Sequence, residues 1–293
     1  MKPSNVARET VMYRSFFVNA ILIFGKIIGG VIFRSSGLIA DGIHSLSDFL
    51  SDVLVIFGLK HSQKPPDKEH PFGHGKIEYV LSLFLGMMIL VIAYQLTRHV
   101  VLSFFEDPIL PSLFAAVVSL FVIVMKLSLA RYIMRHATRL DSQVLKASAQ
   151  ESFTDVLGSV VVIFGILLSF LAEHYTLGFL VYADNFAAII IIALILRVAL
   201  VIIIDAIKSI LGKSASKDII KNTRTTIAHI DGVHEVDKLT MIVYGHYYQV
   251  MVDIRVDGTQ TVKEGHDIAS NVKAILMKNK KIGHVIVHVN PEE

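Results

Sequence analysis

The chain has 293 residues, of which 53% are hydrophobic and 18% charged, with a formal net charge of +3. Soluble globular chains carry about 25% charged residues, so this composition points away from a wholly soluble fold. Cysteine is absent, which excludes disulfides, zinc ribbons and thiolate metal sites, argues against Cu(I), and leaves the redox compartment open. No basic cluster is interleaved with aromatics, so nucleic acid is not an expected partner.

The charge deficit is uneven. Residues 12–210 are mostly apolar, whereas 213–293 have the composition of a soluble domain. The shift near Gly212 divides the chain into a membrane domain, 1–212, and a C-terminal domain, 213–293. A membrane helix needs ~20 mostly apolar residues. Six stretches are read as spans: 12–33, 38–60, 78–100, 108–132, 145–171 and 182–207. Four are clear by hydropathy; polar residues interrupt the second and fifth, which are arguable on hydropathy and rest partly on the resemblance given below. The first follows a short polar arm, with no small-residue cleavage site after it, and reads as a retained helix.

Lys and Arg set the expected topology. Lys2, Arg8 and Arg14 precede or open the first span. Lys60, Lys64, Lys68 and Lys76 lie between spans two and three, and Arg131, Arg135, Arg139 and Lys146 between four and five. The opposite loops hold few. The positive-inside rule then places both termini and the C-terminal domain in the cytoplasm, and the protein in the cytoplasmic membrane as a multi-pass chain.

The C-terminal stretch reads as helix 217–229 with Ser216 as N-cap, strands 235–244 and 248–256, helix 261–278 and strand 284–288. Val250, Val252, Ile254 and Val256 alternate with more polar neighbours, the period of a sheet with one buried face. The expected fold is six transmembrane helices followed by a small α-β-β-α-β domain of the α+β class.

The polar residues within the spans carry the chemistry. His44, Asp48 and Asp52 follow one another at four-residue spacing in span two, and Glu151 and Asp155 repeat that spacing in span five. Residues four apart share a helix face. An ionisable group at mid-bilayer costs about 2.5–3.5 kcal/mol on insertion scales, so several together need a compensating charge, and neither span has an excess of Lys or Arg. A divalent cation held by two facing helices meets that need, as in helical-bundle metal sites. One imidazole and several carboxylates suit Mn²⁺, Fe²⁺, Zn²⁺ or Co²⁺. A plainer alternative is a water-filled lumen, or pairing with single cations such as Lys26 or Lys126.

Two further groups are metal candidates. Asp67, His70 and His74 lie in a Pro- and Gly-rich loop, where restricted backbone freedom can hold ligands together; an acidic, His-containing loop can equally be merely solvated. The C-terminal domain contains His234, Asp237, His246, Asp253, His266, His284, His288 and Asn290. No G-x-x-x-x-G-K-[ST] loop is present to hydrolyse ATP, and no H-E-x-x-H. Gly25 and Gly29 match G-x-x-x-G, read as close helix packing.

Asn19, Lys26, Gly29-Gly30, the run from Ser36 to Asp48 and the run from His70 to Glu78, with Asp184-Asn185 opening the last span, together resemble the cation diffusion facilitator family along the whole chain. The resemblance implies a homodimeric exporter of divalent metal, not an enzyme, driven by proton antiport and needing no obligatory cofactor. It assigns a transport site to His44, Asp48, Glu151 and Asp155 and a loop site to Asp67, His70 and His74. It assigns dimer-interface sites to Asp237, Asp253, His266, His288 and Asn290. Zinc-type members place His where this chain has Glu151, and manganese-type members often have Asn or Asp where it has His44. The expected cargo is therefore Mn²⁺, Zn²⁺ or Fe²⁺. A passive metal channel and a membrane metal sensor are the alternatives.

Overall fold

The structure is a computed structural model. It describes residues 3–62, 64, 66–140, 142–175 and 178–292, with side chains throughout except at 3–9, 52, 54–61, 143, 144 and 173. The order is α1 (Pro3–Ile32), α2 (Ser36–Ser62), α3 (Ile77–Leu102), α4 (Leu113–Arg139), α5 (Gln143–His174), a 3-10 turn (Gly178–Tyr182), α6 (Ala183–Ile210), α7 (Lys217–Ala228), β1 (Glu235–Tyr244), β2 (Tyr247–Val256), α8 (Val262–Met277) and β3 (Ile282–Pro291). Among the described residues, α1, α3, α4, α5 and α6 contain segments long and apolar enough to cross a membrane. The 27 residues of α2, at a rise of about 1.5 Å each, exceed the ~30 Å hydrocarbon core as well. The chain is a helical polytopic membrane protein with an α+β domain at its C-terminal end.

Two compact units are present, one of residues 1–53 with 85–201 and one of 54–84 with 202–293. In the first, the buried faces are built from small side chains: Ala115, Ala116, Ser119 and Ala130 on α4, Ala149, Ser152 and Ser159 on α5, and Ala187 and Ala188 on α6. Small residues let helix backbones approach, which is how helices associate where no water drives them together. Phe17, Phe24, Phe84, Phe121 and Phe164 point outward, as lipid-facing residues do. Of the G-x-x-x-G pair, a Cβ on Gly29 would meet Val118 of α4 and Leu38 of α2, whereas among the described residues nothing lies within 4 Å of one on Gly25.

The fourth helix starts later and runs further than hydropathy suggests. Pro108 and Pro111 disfavour helix at the residues before them, and Ser112 caps α4 by accepting a hydrogen bond from the Phe114 amide. The helix then continues to Arg139, because cations in its last turn suit the negative end of the helix dipole.

The sheet order is β1-β2-β3. The β1–β2 pair is an antiparallel hairpin with a bulge between Val236 and Lys238. Strand β3 pairs parallel to β2, from Tyr248↔Ile282 to Val256↔Pro291, so α8 serves as the crossover that parallel strands require. Val250, Val252, Ile254 and Val256 are buried as their alternation predicts, and Ile227, Val272, Leu276 and Val285 pack in the same core. Strand β3 extends beyond the apolar run at 284–288 because the ladder bonds are made by backbone, whatever the side chain. Helix α8 starts on a capping box between Thr261 and Glu264. Ser216 occupies the N-cap of α7, with no side-chain capping bond.

Candidate metal centre

Helix α2 places His44 and Asp48 one turn apart, with 3.8 Å between His44 Nδ1 and Asp48 Oδ2. Asp155 of α5 joins them: one ligand atom from each of the three lies within 4.8 Å of the others. His44 and Asp48 are half-buried and Asp155 is buried. The Nδ1 atom of His44 is buried with no hydrogen-bond partner among the described residues. A sequestered imidazole nitrogen beside two carboxylate groups is a donor set for a borderline-to-hard divalent ion. Glu151 lies one turn before Asp155 on α5, is exposed, and stands outside this three-residue group. The side chain of Asp52 lies outside the described residues.

Two buried lysines stand against the carboxylates, both from helices other than α2 and α5. Lys126 of α4 places Nζ 2.6 Å from Asp155 Oδ2, with its side chain 3% exposed. Lys26 of α1 pairs with Asp41 of α2 at 2.8 Å and also donates to Ser45 at 3.0 Å. Ser159 of α5 donates to the same Asp41 oxygen at 2.6 Å, so that pair ties α1, α2 and α5. Asp184, opening α6, accepts from Ser35 Oγ at 2.8 Å and from the Gly37 amide. The sequence offered Lys26 and Lys126 as single cations that could pair with the buried carboxylates, and both do so. Which carboxylate each meets was not legible, because local spacing says nothing of which helices become neighbours.

The loop group also forms. Asp67 lies 3.3 Å from His70 Nδ1 and 3.5 Å from His74 Nε2, and the three constitute the second set of metal-competent side chains among the described residues. The His70 amide donates to Asp67 at 2.6 Å, and the Glu69 amide donates too. The backbone bond from His70 is the main cause that holds the Asp67 carboxyl below its usual range. His74 Nδ1 is buried without a hydrogen-bond partner among the described residues.

This loop is docked on the β1–β2 hairpin within the same unit. Tyr247 donates to the Phe72 carbonyl, Tyr244 donates to the Gly73 carbonyl at 3.4 Å, and the Gly245 amide donates to Tyr79 at 2.7 Å. Phe72 meets the edge of His284 at 5.4 Å. The contact depends on glycine: a Cβ on Gly75 would sit 2.5 Å from the Tyr244 carbonyl, and one on Gly245 would sit 2.6 Å from the Gly75 carbonyl.

The C-terminal candidates do not gather into one set within a single chain. Asp237 is held by Arg255 at 2.6 Å and by Asn290 at 3.1 Å. Asp253 and His288 face each other in register across β2 and β3. His266 lies on α8 near Ser270. His234 pairs with Glu292, and His246 meets Tyr247 edge-on.

Helices that gather carboxylates and imidazole at one point, with lipid-facing exteriors, make a membrane protein with a donor set suited to a cation. Residues 12–211 match the cation efflux transmembrane domain, and residues 215–292 match the cation efflux protein cytoplasmic domain. The chain belongs to the cation efflux family, whose members carry divalent metal cations out of the cytoplasm. It is 30% identical over 278 residues to the manganese efflux system protein MneP of Bacillus subtilis (strain 168), covering 94% of each chain. With the manganese efflux system protein MneS of the same organism it shares 30% identity, over 92% of this chain and 90% of the relative. With the magnetosome protein MamM of Paramagnetospirillum magneticum (strain AMB-1) it shares 28%, over 92% of this chain and 83% of the relative.

Proposed function

We propose that this protein exports Mn²⁺ in exchange for protons, and that His44, Asp48 and Asp155 form the core of its transport site. The grouping of these three ligands on two helices inside the membrane unit carries the reading. Glu151, one turn away, is the fourth ligand that completes the site when the ion is bound. Three carboxylates and one imidazole make an oxygen-rich set, which favours Mn²⁺ over Zn²⁺ by ligand softness. The names of two relatives point the same way. Zn²⁺ and Fe²⁺ are the alternative cargoes.

Metal binds deprotonated ligands, so loading the site displaces protons and releasing the ion readmits them. His44 and the carboxylates are the groups in the site that can take up the protons exchanged for the ion. The termini and the C-terminal domain face the cytoplasm by the distribution of Lys and Arg. The C-terminal domain pairs two copies of the chain, where Asp237, Asp253, His266 and His288 meet their counterparts as regulatory ligands.

The test is flux in proteoliposomes with Mn²⁺, Zn²⁺, Fe²⁺ and Co²⁺ offered in turn, with and without a pH gradient. Mn²⁺ flux is expected to be fastest and to fall when the gradient is dissipated. Asp48→Ala and Asp155→Asn are expected to abolish metal-dependent proton movement. Undiminished flux in both variants removes the assigned site, and flux indifferent to the gradient removes the antiport.

A further inference from the structure

We infer that Lys126 is a tethered countercation of the transport site: its ammonium occupies Asp155 when no metal is bound, and a divalent ion loads by displacing it. The inference rests on the reading of His44, Asp48 and Asp155 as that site.

The two buried lysines of the membrane unit are built differently. Lys26 is enclosed by Asp41 and Ser45, with Ser159 adding a donor to the same carboxylate. That arrangement spends two of the three ammonium donors and stands outside the metal-competent group. It is a structural tie. The Lys126 ammonium has one acceptor among the described residues, Asp155 Oδ2 at 2.6 Å, and that carboxylate belongs to the group with His44 and Asp48. An ammonium can donate three hydrogen bonds, so Lys126 is held by charge more than by a completed hydrogen-bond shell. A long, unbranched stem can swing such a head away without moving the helix.

Charge makes the displacement obligatory. Asp48 and Asp155 together are doubly negative when ionised, and Lys126 cancels one of those charges. A dication arriving within coordination distance of Asp155 would lie a few ångström from the ammonium, where like charges in a low-dielectric interior repel strongly. Metal and ammonium therefore compete for one carboxylate. Between ions, the tethered cation keeps the site from presenting bare buried carboxylates, a state that membrane-embedded ionisable groups avoid by pairing. Lys126 acts on the ion through Asp155 and is a positioning residue, not a ligand.

Competition predicts opposite effects for two substitutions at one position. Lys126→Met keeps the unbranched shape and removes the competitor, so Mn²⁺ affinity should rise by about tenfold or more. Lys126→Arg strengthens the competitor, because a guanidinium fork grips a carboxylate through two hydrogen bonds, so affinity should fall below wild type. Affinity is measured by titration calorimetry on the full chain in detergent, in a His70→Ala/His74→Ala/Asp237→Ala/Asp253→Ala/His266→Ala/His288→Ala background that removes the loop group and the C-terminal candidates. The metal-free Lys126→Met variant should also melt lower than its parent and recover more on adding Mn²⁺, since Asp155 regains a cation. A lysine that merely braces the bundle would lower affinity or leave it unchanged in both variants, and that result overturns the inference. If Lys126→Met does not fold, equal or tighter Mn²⁺ binding by Lys126→Arg is enough to overturn it. Asp48→Ala in the same background separates the two claims. Loss of binding there with no Lys126 effect refutes the countercation alone, whereas retained binding refutes the site.

Discussion

At the scale of single residues, this protein uses lysine to make buried carboxylates tolerable. The Lys26–Asp41 pair is enclosed almost completely, at 0% and 1% side-chain exposure. Removing one partner of such a pair strands the other, at a typical cost of about 3–5 kcal/mol. Lys26→Met is therefore expected to lower the melting temperature of the detergent-solubilised protein sharply. Lys26→Met with Asp41→Asn should recover much of the loss, since no uncompensated charge then remains. A double variant no more stable than the single one would mean that packing, not charge, sets the cost. The spacing of His44, Asp48, Glu151 and Asp155 was legible because i, i+4 pairs follow from helix geometry alone. Lys126 was legible as a candidate cation for these carboxylates, but its match to Asp155 in particular was not. The two residues are 29 apart in sequence, and the sequence does not state that their helices bring them to 2.6 Å.

At the scale of elements, the C-terminal domain was the easier to read. The alternation in β2 announced its buried face, and Thr261 followed by Glu264 is a start signal that α8 uses in full. The Thr261 backbone and side-chain bonds hold the Glu264 carboxyl below its usual range. A carboxyl depressed in the fold adds stability above its unfolded pKa and loses it as pH falls through the folded value. Amide protection factors in the first turn of α8, taken against the intrinsic rate at each pH, should therefore fall below about pH 4, and Thr261→Ala should lower them at neutral pH by removing an N-cap worth about 1 kcal/mol. Exchange in α8 indifferent to the substitution would contradict this. What pattern could not give was the docking of the 66–76 loop on the hairpin, since it rests on close backbone approach at Gly75 and Gly245. Gly245→Val is expected to undock the loop, seen as faster exchange at residues 72–76. Unchanged exchange there would show that the contact does not hold the loop.

At the scale of the whole molecule, a membrane unit that groups His44, Asp48 and Asp155 is joined in one chain to a domain carrying its own His and Asp residues. In the proposed site, Glu151 is the lever on cargo. Glu151→His exchanges a carboxylate for an imidazole and is expected to move the Zn²⁺-to-Mn²⁺ flux ratio toward zinc by about tenfold, an energy of roughly 1.4 kcal/mol. An unchanged ratio would place Glu151 outside the coordination sphere. Four of the helices followed from hydropathy, and the second and fifth, interrupted by polar residues, were placed partly by the family resemblance. The start of α4 did not, because Pro111 and Ser112 decide it locally, against the apolar run. The central claim is that one divalent ion is held by His44, Asp48 and Asp155, and anomalous scattering at the manganese edge from Mn²⁺-loaded crystals tests it most directly. The account predicts a peak within coordination distance of all three, with the Lys126 ammonium moved off Asp155. A fully loaded protein with no peak there, and Lys126 still paired to Asp155, would contradict it.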